Sequence, residues 1–213
     1  PYDVKNTQLL IHRYEDDLKR DNAWLYLGFQ RRVRRLASGQ VTDSFLGSDL
    51  MIEDFEGYNG RISDMKWGYK GVKWVLLPIY NHNDQKLGEE FATDDGYKYV
   101  TFGGKGGCYP NTSWQVRKTY EIEAVPTDPN HPVGKREIYM DAETGALLRI
   151  NVHDRSDKLW KMWFITQNHF DSHLPRHKDI GVPIYDGFGM MDVQAMHCTT
   201  AQMRSEIHPG TFD

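Results

Sequence analysis

His169, His173 and His177 recur at intervals of four residues, the spacing that stacks imidazoles on one helix face and offers them to a metal ion. Pro175 breaks the helix that would align them, and no zincin-type glutamate stands beside them, so solvated loop histidines are expected and no metal. The run Gly103-Gly104-Lys105-Gly106-Gly107 has the glycine content of a phosphate cradle. It lacks the Gly-Lys-Ser/Thr ending and does not clearly open a helix, which leaves a loop. Carboxylates pair along the chain at Asp16-Asp17, Glu53-Asp54 and Asp94-Asp95. Adjacent side chains point in different directions, so these acids are expected to be solvated and not to form an acid–base couple. There is no Gly-x-Ser-x-Gly elbow and no evident Ser, His and Asp set. The expectation is a protein without a catalytic set or cofactor, although a set assembled only in space would escape this reading.

Four arginines in five positions, Arg31, Arg32, Arg34 and Arg35, are the densest charge in the chain. Guanidinium binds carboxylate and phosphate through paired hydrogen bonds, so Arg32 and Arg34 are candidates for a ligand headgroup or an acidic partner. The competing expectation, which is favoured, is that the cluster pairs with acids of the flanking loops and locks the rim of a sheet. On a strand these arginines fall on both faces, which places that strand at an edge.

The elements that would carry these residues are mostly strands. With 39% hydrophobic and 13% aromatic residues, 213 residues suffice for one sizeable core. A net charge of -4 and a pI near 6.1 argue against a general nucleic-acid binder. No apolar run reaches the length that spans a membrane as a helix. Two-residue alternation predicts strands over 8–14, 23–27 and 30–36, with turns between them. Residues 38–59 lose the alternation. Phe45, Leu46, Leu50, Met51, Ile52 and Phe55 are interspersed with acids, which predicts a loop and one or two helical turns closed by Gly57 or Gly60. Such a segment is either a lid over an apolar surface or an ordinary amphipathic connector.

From Asp64 the alternation returns, with a phase change near Gly71 that predicts a bulge. Residues 81–112 carry no period and form the longest irregular stretch. Alternation is clearest over 114–124, 137–142, 148–153 and 158–166, with tight turns at Asp141–Gly145 and Asp154–Asp157. Residues 184–199 read as one last strand. Successive hairpins of this kind form an antiparallel meander in a single domain over 1–213. The aromatic faces bearing Trp24, Tyr26, Trp67, Trp114 and Trp163 are expected mainly in its core. Cys108 and Cys198 specify no disulfide framework, and unpaired buried thiols are expected, with pairing as the alternative in an oxidising compartment. Pro1 opens a sequence with no charged and apolar leader, so a fragment lacking its natural N-terminal part is expected.

The block Trp24-Leu25-Tyr26-Leu27, Arg31-Arg32-Val33-Arg34-Arg35 and Asp43-Ser44-Phe45-Leu46-Gly47-Ser48-Asp49 resembles the signature of LolA/LolB-like lipoprotein-sorting proteins. Gly28 stands where that family often has proline. The stretch Arg136–Asp141, Thr144 to Asp154 and Lys158–Lys161 is similar to its paired strands, while 55–80 and 184–197 resemble an uncharacterised branch of larger periplasmic proteins.

The resemblance implies a mainly β fold, an incomplete antiparallel β-barrel around a hydrophobic cavity with short helical lid or plug segments. It implies a periplasmic carrier of lipid or other apolar cargo, with no cofactor, serving in this branch an RND-type exporter. An envelope adaptor that docks a transporter through the same sheet is the alternative. The residues assigned to ligand contact are Phe45, Leu46, Met51 and Phe55 of the lid, then Trp67 and Trp163, with Arg32 and Arg34 from the basic cluster.

Overall fold

Alternating apolar and polar residues leave each strand one face to bury, and two separate sheets satisfy that requirement. The computed structural model describes residues 4–37, 40–79, 93–94, 96–168, 174 and 183–206. A three-stranded antiparallel sheet is built from β1 (Gln8–His12), β2 (Asn22–Leu27) and β3 (Arg32–Leu36) in that order. A seven-stranded sheet follows with the order β12-β11-β10-β9-β8-β7-β4. Its strands are β4 (Met65–Leu77), β7 (Gln115–Pro126), β8 (Val133–Asp141), β9 (Leu147–Asp154), β10 (Leu159–Asn168), β11 (Ile184–Asp192) and β12 (His197–Gln202). Every named pairing is antiparallel, and the sheet does not close, since β4 and β12 end the order. A short pair, β5 (Phe102–Gly103) with β6 (Tyr109–Pro110), completes the strands.

The meander and the bulge at Gly71 are as the alternation predicts. Four expectations are corrected. Residues 184–199 are not one strand: Asp192 accepts bonds from the backbone N–H groups of Gln194 and Ala195, and this turn reverses the chain into β12. Trp24 and Tyr26 do share a face of β2, but it is the half-exposed one, and Ala23, Leu25 and Leu27 are buried instead. Leu148 leaves the Ile150 and Val152 face at a register shift and packs with Leu77 and Ile79. The cysteines are paired, Cys108 to Cys198, because the turn after Gly104 is folded over the end of β12.

One face of the large sheet carries the main core, with Met65, Ala124, Ile138, Ile150, Val152, Trp163, Ile165 and Met190 beneath Leu50 and Met51. On the opposite face Phe164 is covered by Trp114 and Tyr109, with ring centres 5.3 and 6.2 Å away. Gly189 permits that cover, since a β-carbon there would lie 2.7 Å from the carbonyl oxygen of Cys108. The edge strand β4 is poorly covered: Tyr69, Val72, Trp74 and Leu76 are all exposed.

Because the disulfide closes a separation of 90 residues, it restricts the unfolded chain as well as fastening this outer layer. The double variant Cys108→Ser/Cys198→Ser should lose about 2–4 kcal/mol of stability in urea unfolding. An unchanged midpoint would show that the layer is held without the bond.

Candidate functional site

The segment from Phe45 to Gly57 crosses the core face of the large sheet and forms a plug. The expected helical turns are present as 3-10 turns, Phe45–Gly47 and Ile52–Gly57. Asp54 sets the second turn by accepting the Met51 N–H at 2.8 Å, so the chain cannot run on as an extended strand. Gly57 ends it with φ +99°, and a β-carbon there would lie 2.9 Å from that of Leu147. Glycine lets the plug lie flat on β9.

Arg136 stands on the apolar face of β8 and is fully buried. The two acids expected to be solvated converge on it: Nη1 lies 2.6 Å from Asp54 Oδ1, and Nη2 bonds Glu53. The adjacent carboxylates meet one guanidinium because their 3-10 turn lies directly over it. His131 Nε2 is 3.2 Å from the other oxygen of Glu53, and the Tyr58 ring lies 5.8 Å from the Arg136 guanidinium carbon. Burial pushes the Glu53 carboxyl up, but the His131 bond and the Arg136 charge outweigh it, and the net direction is downward. Buried Lys161 donates to the Asp49 carbonyl, and burial holds its ammonium below the usual lysine range. At the far edge, Asp49 accepts from the Thr199 hydroxyl and meets His197 Nδ1, both at 2.8 Å. The plug is thereby tied to β8, β10 and β12.

Beside the plug lies an open, largely apolar cavity of about 450 Å³. Its wall includes Leu9 and Ile11 of β1, Phe55 of the plug, Trp163 and Ile165 of β10, and Tyr185 and Phe188 of β11. Of the residues assigned from sequence, Phe55 and Trp163 stand in this wall. Phe45 packs edge-on against Phe55, with ring centres 5.3 Å apart. Met51 is buried in the core with Leu50. Leu46 is exposed, and Trp67 lies on β4, donating to the Ile62 carbonyl and packing against Tyr58.

Arg32 and Arg34 are exposed on β3, the edge strand, and neither lines the cavity. Among the described residues the expected pairing of the arginine cluster with loop acids is not found. Among the described residues Arg34 donates to Gln30 and Arg35 to Asn22, both neutral amides, because the turn and β2 place these beside the edge. His169, His173 and His177 lie outside the described residues. Sequence reasoning missed Leu9, Ile11, Ile165, Tyr185, Phe188 and Arg136. Alternation along 184–190 and the even spacing of Arg136 with Ile138 and Met140 were the available signals.

Arg136→Met should cost about 3–5 kcal/mol, because it leaves two buried acids without their counter-charge. The triple variant Arg136→Met/Glu53→Gln/Asp54→Asn should recover most of that loss in urea unfolding. Glu53 also fixes a sign. Its folded value lies below the ordinary 4.5, so its contribution is present above about pH 4.5 and is lost as pH falls through the folded value. The stability difference between the protein and Glu53→Gln should be flat from about pH 5 to 8 and shrink below it. A difference that grows on acidification would refute the assignment.

Comparison with known proteins places this arrangement. An uncharacterized protein of Pseudomonas aeruginosa is 25% identical over 215 residues, covering 97% of this chain and 43% of that protein. The chain therefore spans less than half the length of this relative. An outer membrane lipoprotein-sorting protein domain from Vibrio parahaemolyticus superposes with a TM-score of 0.60 at 18% identity, over 94% of this chain and 64% of that one. A DUF1329 family protein from Desulfovibrio piger superposes with a TM-score of 0.59 at 19% identity, over the same shares. The fold, mainly β with open antiparallel sheets, is the one these two structures share. The family described as protein of unknown function (DUF1329) matches residues 1–213, and the chain belongs to that family.

Proposed function

We propose that this protein binds a lipid or another hydrophobic ligand in the cavity beside the plug and acts as a carrier, without enzymatic chemistry. The observation that carries this reading is the cavity itself, about 450 Å³ between β1, the plug and β10–β11. Ligand pockets of this character typically have volumes of about 300–1,000 Å³. An apolar tail that enters it leaves water, which contributes about 0.8 kcal/mol for each methylene buried. The structural neighbour described as a lipoprotein-sorting domain supports the same class of cargo.

We propose the periplasm as its compartment. The Cys108–Cys198 bond supports an oxidising environment, and among the described residues no helix is long and apolar enough to cross a membrane. The receiving partner proposed is an RND-type exporter, on the family resemblance. A second reading, an envelope adaptor, is favoured by one observation: among the described residues β4 ends the sheet, with Trp74 70% and Tyr69 65% exposed.

Native mass spectrometry of protein purified from cell envelopes, followed by extraction, should release a stoichiometric lipid or other apolar molecule. Ile11→Trp, which fills the cavity from the β1 side, should weaken uptake of a fluorescent fatty acid at least about tenfold while Trp74→Ser leaves it unchanged. A clean apo mass with no uptake would transfer the case to the adaptor.

A further inference from the structure

At 13 residues β4 is the longest strand of the large sheet, and among the described residues it is also an end strand, paired with β7 alone. Edge strands are normally kept short, because a long one offers its outward N–H and C=O groups to any extended chain. The side chains of β4 are sorted by face. Residues opposite one another in register share a face, so Trp67, Tyr69, Val72, Trp74 and Leu76 stand on the core face with Ala124 and Ile122 of β7. Lys66, Lys70 and Lys73 stand on the other. The bulge at Gly71 does the sorting. Its extra residue reverses the parity, and without it Val72, Trp74 and Leu76 would share a face with Lys66 and Lys70.

The lysines form the last column of a charge ladder. Lys73 and Lys70 bond Glu121 and Glu123 of β7 at 2.7 and 2.8 Å, so both acids lie on the inner side of β4. No described strand follows on the outer side, and both lysine side chains remain about half exposed. An ammonium has three donors, and one such bond leaves others for a neighbour there. On the core face Tyr69, Val72, Trp74 and Leu76 are exposed, as is the adjacent Val116. A strand added to this edge meets cations on one face and aromatic and aliphatic side chains on the other.

A second copy of β4 is a poor match for that pattern. A two-fold antiparallel pair keeps each face on its own side and sets the lysines of both copies next to one another, where like charges repel. A two-fold parallel pair turns one copy over and places its lysines against the exposed apolar side chains of the other. We infer that the β4 edge docks an extended segment of a partner protein, with carboxylates on one face and apolar side chains on the other. Main-chain bonds to β4 hold the segment. Its carboxylates complete the ladder beside Lys66, Lys70 and Lys73, and its apolar residues cover Tyr69, Val72, Trp74 and Leu76. This rests on the adaptor reading of the edge and gives the partner its chemistry. It asks nothing of the cavity.

The test measures fluorescence anisotropy of two labelled peptides, one alternating valine with glutamate and one alternating valine with lysine. The glutamate peptide should bind roughly tenfold more tightly, the yield of three cross-strand charge pairs, and added salt should shrink the difference. Alternate amides of the glutamate peptide can be N-methylated in two ways. One should abolish binding and the other should not, because only one set of N–H groups faces β4. Trp74→Ser should weaken binding several-fold, and Lys66→Gln/Lys70→Gln/Lys73→Gln should erase the preference for glutamate. If the triple variant does not fold, the salt series and the N-methyl pair decide the question on the wild type. Equal binding of the two peptides, or binding indifferent to N-methylation, would overturn the acidic strand and leave the edge to an adaptor partner of other chemistry. Binding of neither peptide would overturn the inference and the adaptor reading together. A dimer in sedimentation that Trp74→Ser dissolves would assign the edge to a second copy instead.

Discussion

The charge of Arg136 is the constraint from which the rest of the architecture follows. It lies in register between Ala124 of β7 and Val152 of β9, on the face that carries the main core. A lone guanidinium there would be intolerable, since desolvation of an unpaired charge costs several kcal/mol even after relaxation. Two acids must reach it, and Glu53 and Asp54 do so only if the Ile52–Gly57 turn lies flat on β8 and β9. An apolar plug could slide along an apolar sheet, whereas this one has a single seat. The ion cluster therefore contributes placement more than it contributes net stability.

That seat divides the core face of the large sheet. On the β10–β11 side, Phe55 stands across from Trp163, Ile165 and Phe188, and the gap under β1 remains as the cavity. On the β4 side nothing described covers Tyr69, Val72, Trp74 and Leu76. Carrier and adaptor readings thus attach to two different halves of one surface, and the plug is the border between them. The opposite face of the sheet combines ion pairs, such as Arg117 with Asp141 and Lys73 with Glu121, with the covered Phe164 and the Leu77, Ile79 and Leu148 cluster.

What the sequence disclosed follows the range of each interaction. Strand alternation is local, so the meander, the Gly71 bulge and the edge position of β3 were all legible. The seat of the plug was not, because Glu53 and Asp54 meet Arg136 across 83 and 82 residues. Seen alone, two adjacent acids look like solvated surface. Parity with Ile138 and Met140 did put Arg136 on the apolar face, and a charge at such a position was the available warning. Phe55 and Trp163 line the cavity because large apolar residues at irregular spacing, or on a strongly aromatic strand, have to face something apolar. Leu9 and Ile11 were missed because β1 belongs to another sheet, and alternation does not say against what a face will pack. Cys108 and Cys198 lie in the same category: only the fold brings residues 90 apart together.

The fastenings also dictate how the cavity can open. The plug is tied to β8 by Arg136, to β10 by Lys161 and to β12 by the Asp49 contacts with Thr199 and His197. The plug wall and the β10–β11 wall therefore form one body. The remaining wall, β1, is joined differently. Arg61 bonds Asp17 and Asp21 in the loop between β1 and β2, and Arg13 donates to the Asn59 carbonyl. These links cluster at one end of the small sheet, where Asp17 and Arg13 are substantially exposed and such pairs are weak. Breaking the buried Arg136 cluster would uncover three charges, whereas tilting the small sheet about the buried Arg61–Asp21 pair would keep that pair in place and strain only the more solvated links of Arg13 and Asp17. On the carrier reading proposed above, entry is expected between β1 and the plug, with the plug staying in its seat.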